Sequence, residues 1–302
     1  MKLFFKTTLL LIPFCVFSQS DLNNFLKPSD SLNIQRRNGV VISQSTLMGG
    51  TLLVLSEAWY KDYEKSGFHL YNDNSEWLQM DKVGHVFSGY QLSRGSSELL
   101  QWSGVSKKQS VLYGSLSGFT FLTAVEVLDG FSSEWGFSYG DMIANLSGSV
   151  LYAGQELLWN EQRISLKFSF HTTPYASRRP TVLGNNLQEQ ILKDYNGQTY
   201  WLSFNLHSFL KESKIPKWLN LAVGYGAEGM IMGQDDLVNM IYLPEKERFR
   251  QLYLSLDIDL TKIKTNSHFL KTLFSVVNTI KIPAPTIEFT TNGTTKFHTF
   301  YF

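Results

Sequence analysis

Between Asp81 and Ala153 a few ionisable and polar side chains stand inside otherwise apolar, helix-patterned sequence. They are Asp81, Lys82 and His85, then Glu126 and Asp129, then Ser138, Asp141 and Asn145. Burying an ionisable group in a helix is expensive unless a partner neutralises it. These residues therefore form either a shared polar lock or a site.

Their spacing already groups them. Asp81 and His85 are one helical turn apart, as are Asp141 and Asn145, so each pair shares a helix face. Ser138 stands three residues before Asp141, the position of a helix N-cap. Glu126 falls in the last turn of a helix that Asp129-Gly130 brings to an end. With short connections, Glu126 and Asp141 come near one end of a bundle, joined by the start of the Asp81 helix.

The rest of the chain divides by rhythm. Residues 1–18 carry a short basic start, an apolar stretch from Leu9 to Phe17, and small residues Val16 and Ser18 before a cut ahead of Gln19. This is the pattern of a secretory signal peptide. The single cysteine, Cys15, lies inside it, and Ile12-Pro13-Phe14 lacks the small residues of a lipidation site. The sequence thus reads as an exported, non-lipidated bacterial protein whose mature chain has no thiol chemistry. Residues 19–39 form a polar lead-in. Residues 40–59 are an apolar run long enough to span a bilayer or to make a buried helix. Three helical stretches follow at 80–102, 107–128 and 138–159, with small residues at three- and four-residue spacing that let helix backbones approach closely.

After residue 160 the pattern changes to alternation. Residues 164–170, 198–206, 218–230, 251–260 and 295–302 read as strands, and 187–195 and 268–280 as helices. The expected fold is α+β. About four apolar helices (40–160) precede an antiparallel β-rich domain (161–302), which is either a small or incomplete outer-membrane barrel or a periplasmic sheet. The terminal Phe302 and the aromatic share of 14% suit the barrel. A net charge of +1 provides no field for nucleic acid, so none is expected as a partner. The expected partners are a membrane, the outer membrane in particular, and other envelope proteins.

Asp81-Lys82 with His85, then Glu126 with Asp129-Gly130, then Gly136 to Asp141 with Asn145 together resemble the YfiM-like family of bacterial envelope lipoproteins. The order is also similar to that of VanZ-like membrane proteins. The resemblance covers about residues 77–155, and neither family implies an established reaction. The β-rich half and the missing lipidation signal depart from the YfiM-like pattern.

Three readings of the polar set remain. A mixed nitrogen and oxygen ligand set at Asp81, His85, Glu126 and Asp141 suits a transition metal, but Lys82 opposes a cation and no paired-histidine motif is present. Acid–base catalysis by a carboxylate beside His85 is chemically reasonable. Ser138 is a conceivable nucleophile, although a cap explains it better and no nucleophile elbow is expected. The reading favoured is a structural lock that fixes helix register, in a non-enzymatic envelope component with no metal and no cofactor. The alternatives are a VanZ-like binder of a small amphiphilic or glycopeptide ligand, and an enzyme acting on lipid or cell-wall material.

Overall fold

The computed structural model describes residues 19–56, 64–234 and 248–302. The expected signal peptide and Cys15 lie outside the described residues. The fold is α+β, with helices in the first half and one antiparallel sheet in the second.

Helix α1 (Gln19–Phe25) and helix α2 (Ile34–Leu55) make up the first segment, and strand β1 (Leu70–Tyr71) follows. The expected polar lead-in is ordered: Trp102 donates its indole N–H to the Phe25 carbonyl at 2.8 Å, and the Arg36 guanidinium lies 4.5 Å from the Trp102 ring centre. Helix α3 (Met80–Trp102), helix α4 (Lys107–Asp129), strand β2 (Phe137–Ser138) and helix α5 (Tyr139–Leu158) come next. Helices α3, α4 and α5 form a tight bundle, whereas α2 buries only Val40.

The small residues explain how closely the bundle packs. A methyl group at Gly148 of α5 would sit 2.0 Å from the Val86 carbonyl oxygen, and one at Gly89 would sit 2.5 Å from that of Asn145. At Gly114 of α4 it would meet Ser97 Oγ at 2.2 Å. Gly49, Gly50 and Gly154 face open space instead. Helices α2 and α4 are long and apolar enough to cross a membrane. Helix α4 directs part of that apolar surface into the bundle, burying Val111 and Leu122.

The second half is a six-stranded antiparallel meander: β3 (Ile164–Phe170), β4 (Gln198–Asn205), β5 (Leu219–Glu228), β6 (Phe249–Ile258), β7 (Ala284–Thr290) and β8 (Thr295–Tyr301), in that spatial order. It is not a closed barrel. Short helices α6 (Pro180–Leu183) and α7 (Leu187–Lys193) separate β3 from β4, and α8 (Leu206–Phe209) follows β4. Helix α9 (His268–Val277) lies between β6 and β7. Just past it, Phe168 donates to the Thr279 carbonyl and accepts from Lys281 N–H, both at 2.9 Å, which covers the outer edge of β3. Strand β7 was not among the expected strands.

The alternation is inverted relative to a water-soluble sheet. One face carries Ser165, Lys167, Ser169, Ser203, Asn220, Ser255, Asp257, Thr286 and Glu288, all buried. The other carries Leu202, Leu221, Val223, Leu252, Leu254, Leu256, Ile287 and Phe289, all exposed. The sheet curls around its polar face, so that Tyr301 of β8 stacks on Tyr253 at 4.7 Å between ring centres and its hydroxyl donates to Tyr253 Oη at 2.8 Å. On that face Lys167 Nζ pairs with Asp257 Oδ2 at 2.8 Å, with both side chains fully buried. Among the described residues the apolar face is covered at β3, at β4 and at the Tyr225–Ala227 end of β5, where Tyr225 and Ala227 pack with Met80. At β3 and β4, Leu166 packs with Tyr90, Val111 and Tyr152, and Phe168 and Tyr200 pack with Phe87.

An unusual turn leads into α3. Trp77, Leu78 and Gln79 all have left-handed backbone, with φ of 47°, 50° and 65°. Each such residue that is not glycine costs roughly 1–2 kcal/mol. Sheet groups hold the turn: the Tyr225 hydroxyl donates to the Leu78 carbonyl, Arg250 donates to Gln79 Oε1 at 2.7 Å, and Trp77 N–H donates to the Gly233 carbonyl at 2.6 Å.

Candidate functional site

The left-handed turn places the first turn of α3 against the start of α5 and the end of α4. Ser138 caps α5 with its side chain, accepting Asp141 N–H at 3.1 Å. That cap directs the Asp141 carboxylate inward, and Asn145 follows one turn later on the same face.

Lys82 and His85 are the two cations among these carboxylates. Lys82 Nζ lies 2.7 Å from Asp73 Oδ2, 2.8 Å from Asp141 Oδ1 and 3.1 Å from Asp81 Oδ2. His85 donates from Nδ1 to Asn145 Oδ1 at 2.9 Å. Its Nε2 stands 3.6 Å from Asp81 Oδ1 and 3.7 Å from Asp141 Oδ1, and its Nδ1 stands 3.6 Å from Glu126 Oε1. Glu126 Oε2 accepts the Ser138 backbone N–H at 3.4 Å.

The structure thus brings together Asp81, Lys82, His85, Glu126, Ser138, Asp141 and Asn145. Asp129 ends α4 one turn beyond Glu126 and acts on that carboxyl through its charge. Two members were absent from the sequence reading. Asp73 accepts the Ser138 hydroxyl at 2.6 Å as well as pairing with Lys82, and Tyr195 donates its hydroxyl to Asp81 Oδ1 at 2.7 Å. An acidic residue in a polar loop gives no sign of burial. Tyr195 reaches the cluster from across the fold, 114 positions from Asp81.

Residues 136–140 do spell Gly-x-Ser-x-Gly, which corrects the expectation that no nucleophile elbow is present. The geometry is not that of an elbow. Ser138 has unstrained extended backbone, φ −97° and ψ 121°, and is only 1% exposed. A nucleophile elbow needs a strained turn with an exposed hydroxyl, whereas this one is used by Asp73 and Asp141.

Burial and charge compete at each group. Burial pushes Glu126 up to about 8 against the pull of His85. Burial and the neighbouring Asp81 push Asp141 up to about 7. At His85 burial acts downward, but Asp81, Asp141 and Glu126 outweigh it and raise the imidazole to about 9. Burial would raise Asp81, yet His85, Lys82 and the Tyr195 hydroxyl hold it below the ordinary carboxylate value. Two oxygens are held mainly by charge: Glu126 Oε1, 3.6 Å from His85 Nδ1, and Asp141 Oδ1, 2.8 Å from Lys82 Nζ and 3.7 Å from His85 Nε2.

These helices are also the part of the chain with a known likeness. Residues 57–154 match a family described as predicted periplasmic lipoprotein (DUF2279). The match spans about a third of the chain and includes every member of the cluster except Tyr195. It supports an exported, periplasmic envelope protein of the lipoprotein-type family, whose description assigns no activity. No curated protein and no solved structure matches the chain.

Proposed function

We propose that this exported protein is a non-enzymatic accessory component of the outer membrane, with the apolar face of its sheet seated in lipid. The observation that carries the reading is the inverted sheet. Strands with polar residues inside and leucine, valine, isoleucine and phenylalanine outside have the patterning of a lipid-facing β-structure. The bundle and the turn before it cover β3, β4 and the Tyr225–Ala227 end of β5, and lipid takes the rest of the face, where Phe297, Phe300 and Phe302 extend the apolar surface along and just past β8. In this reading the polar cluster locks α3, α4 and α5 in register. Other envelope proteins are the partners of such a component.

The test is fractionation of cells expressing the full chain. The protein is expected in the outer-membrane fraction, resistant to alkaline extraction. Replacing Leu221, Leu254 and Ile287 together with lysine should release it into the soluble periplasm. Recovery of the unaltered chain as a soluble periplasmic monomer without detergent would overturn the proposal.

A second reading is an enzyme acting on lipid or cell-wall material through Asp81, His85, Glu126 and Asp141. It is favoured by carboxyls held near neutral pH beside an imidazole. It predicts that His85→Gln leaves membrane seating intact and abolishes a hydrolytic or transfer activity.

A further inference from the structure

His85 faces two carboxylates across a gap wider than a hydrogen bond. With Nδ1 donating to Asn145 Oδ1, the ring turns Nε2 toward Asp81 and Asp141, and Nε2 offers a lone pair there once its proton is lost. The distances of 3.6 and 3.7 Å from Nε2 to those oxygens are too long for hydrogen bonds. They are close to the ligand-to-ligand edge, roughly 3.4 Å, of a tetrahedron around an ion with bonds of about 2.1 Å. One donor atom from each of the three residues lies within 4.8 Å of the other two. Asp141 Oδ1, on a side chain only 5% exposed, borders the same gap, with the Lys82 ammonium as its close partner at 2.8 Å.

We propose that Asp81, His85 and Asp141 bind a divalent transition-metal cation of the zinc class. This assignment goes beyond the outer-membrane reading and departs from the sequence expectation of no metal. Mixed imidazole and carboxylate donors suit such an ion. The hydrogen bond from Nδ1 to Asn145 is the outer contact that fixes a ligating histidine in its orientation. Tyr195 fixes the Asp81 carboxylate in the same way. Lys82, the objection from sequence, lies 2.7 Å from Asp73 Oδ2 and 3.1 Å from Asp81 Oδ2, the oxygen that does not face His85, and 2.8 Å from Asp141 Oδ1, so a bound ion shares that last oxygen with the ammonium.

The full-length protein, stripped with chelator and dialysed, would be titrated with zinc chloride by calorimetry, with bound metal counted by mass spectrometry. One equivalent is expected, with protons released on binding as the calorimetric heat changes with buffer. His85→Gln and Asp141→Asn should each weaken binding at least tenfold, while Glu161→Gln, remote from the cluster, should not. X-ray absorption at the zinc edge of the unaltered protein tests the site even if those variants fail to fold. It should show one imidazole nitrogen with oxygen ligands at about 2.0–2.1 Å. Failure to bind one equivalent, or a ligand shell without imidazole, would overturn the assignment.

Discussion

At the scale of single residues, the cluster ties stability to pH with a definite sign. His85 is raised from 6.5 to about 9, Glu126 from 4.5 to about 8 and Asp141 from 3.8 to about 7. In the metal-free protein the three together cover the range from about pH 4 to 9 in which the folded state holds more protons than the unfolded one, each group over the span between its own two values. Stability therefore falls as pH rises through that window. The stabilising contribution is complete below the unfolded values and is lost as each folded value is passed. Asp81, held low, acts in the opposite sense only under more acidic conditions. Urea unfolding in the presence of chelator should give a lower midpoint at pH 8.5 than at pH 5.5. Glu126→Gln should flatten the slope, because it removes one of the titrating groups without changing shape. A midpoint that rises with pH across this range would contradict the placement of these three groups.

At the scale of elements, the glycines of α3, α4 and α5 set how near the backbones come. Gly148→Ala would drive a methyl group against the Val86 carbonyl, and a rigid helix backbone cannot yield as a side-chain tip would. The expected loss is about 1–3 kcal/mol or more, read as a lower denaturation midpoint. Gly154→Ala, which faces open space on the same helix, should be neutral or slightly stabilising. The helices and their polar faces were legible in the sequence because a period of 3.6 and an i, i+4 pair leave a direct trace. The orientation of the strands was not, since strict alternation reads the same whichever face meets the core. Only the structure tells that Leu254 is outside and Ser255 inside. The left-handed turn was equally hidden, because Trp77-Leu78-Gln79 contains none of the residues that ordinarily adopt it.

At the scale of the whole molecule, the two halves do not close separately. Met80 at the head of α3 packs in one cluster with Tyr200, Ala227 and Met230, and Asn23 of α1 accepts the backbone N–H groups of His268 and Phe269. The turn that aims Asp81 and Lys82 is held by Tyr225, Gly233 and Arg250. That turn has a consequence for an exported chain, which emerges from its N-terminus first. Residues up to 160 reach the far side of the inner membrane before the groups that pin their left-handed entrance exist in folded form. The first half must wait, open and apolar, until strands near the other end arrive. A chain ending at residue 218 should accordingly be degraded rapidly under limited proteolysis that leaves the full protein whole, and equal resistance of the two would show that the helices close unaided. The expected order is that the helices finish folding only once β5 and β6 have formed and can hold the entrance to α3.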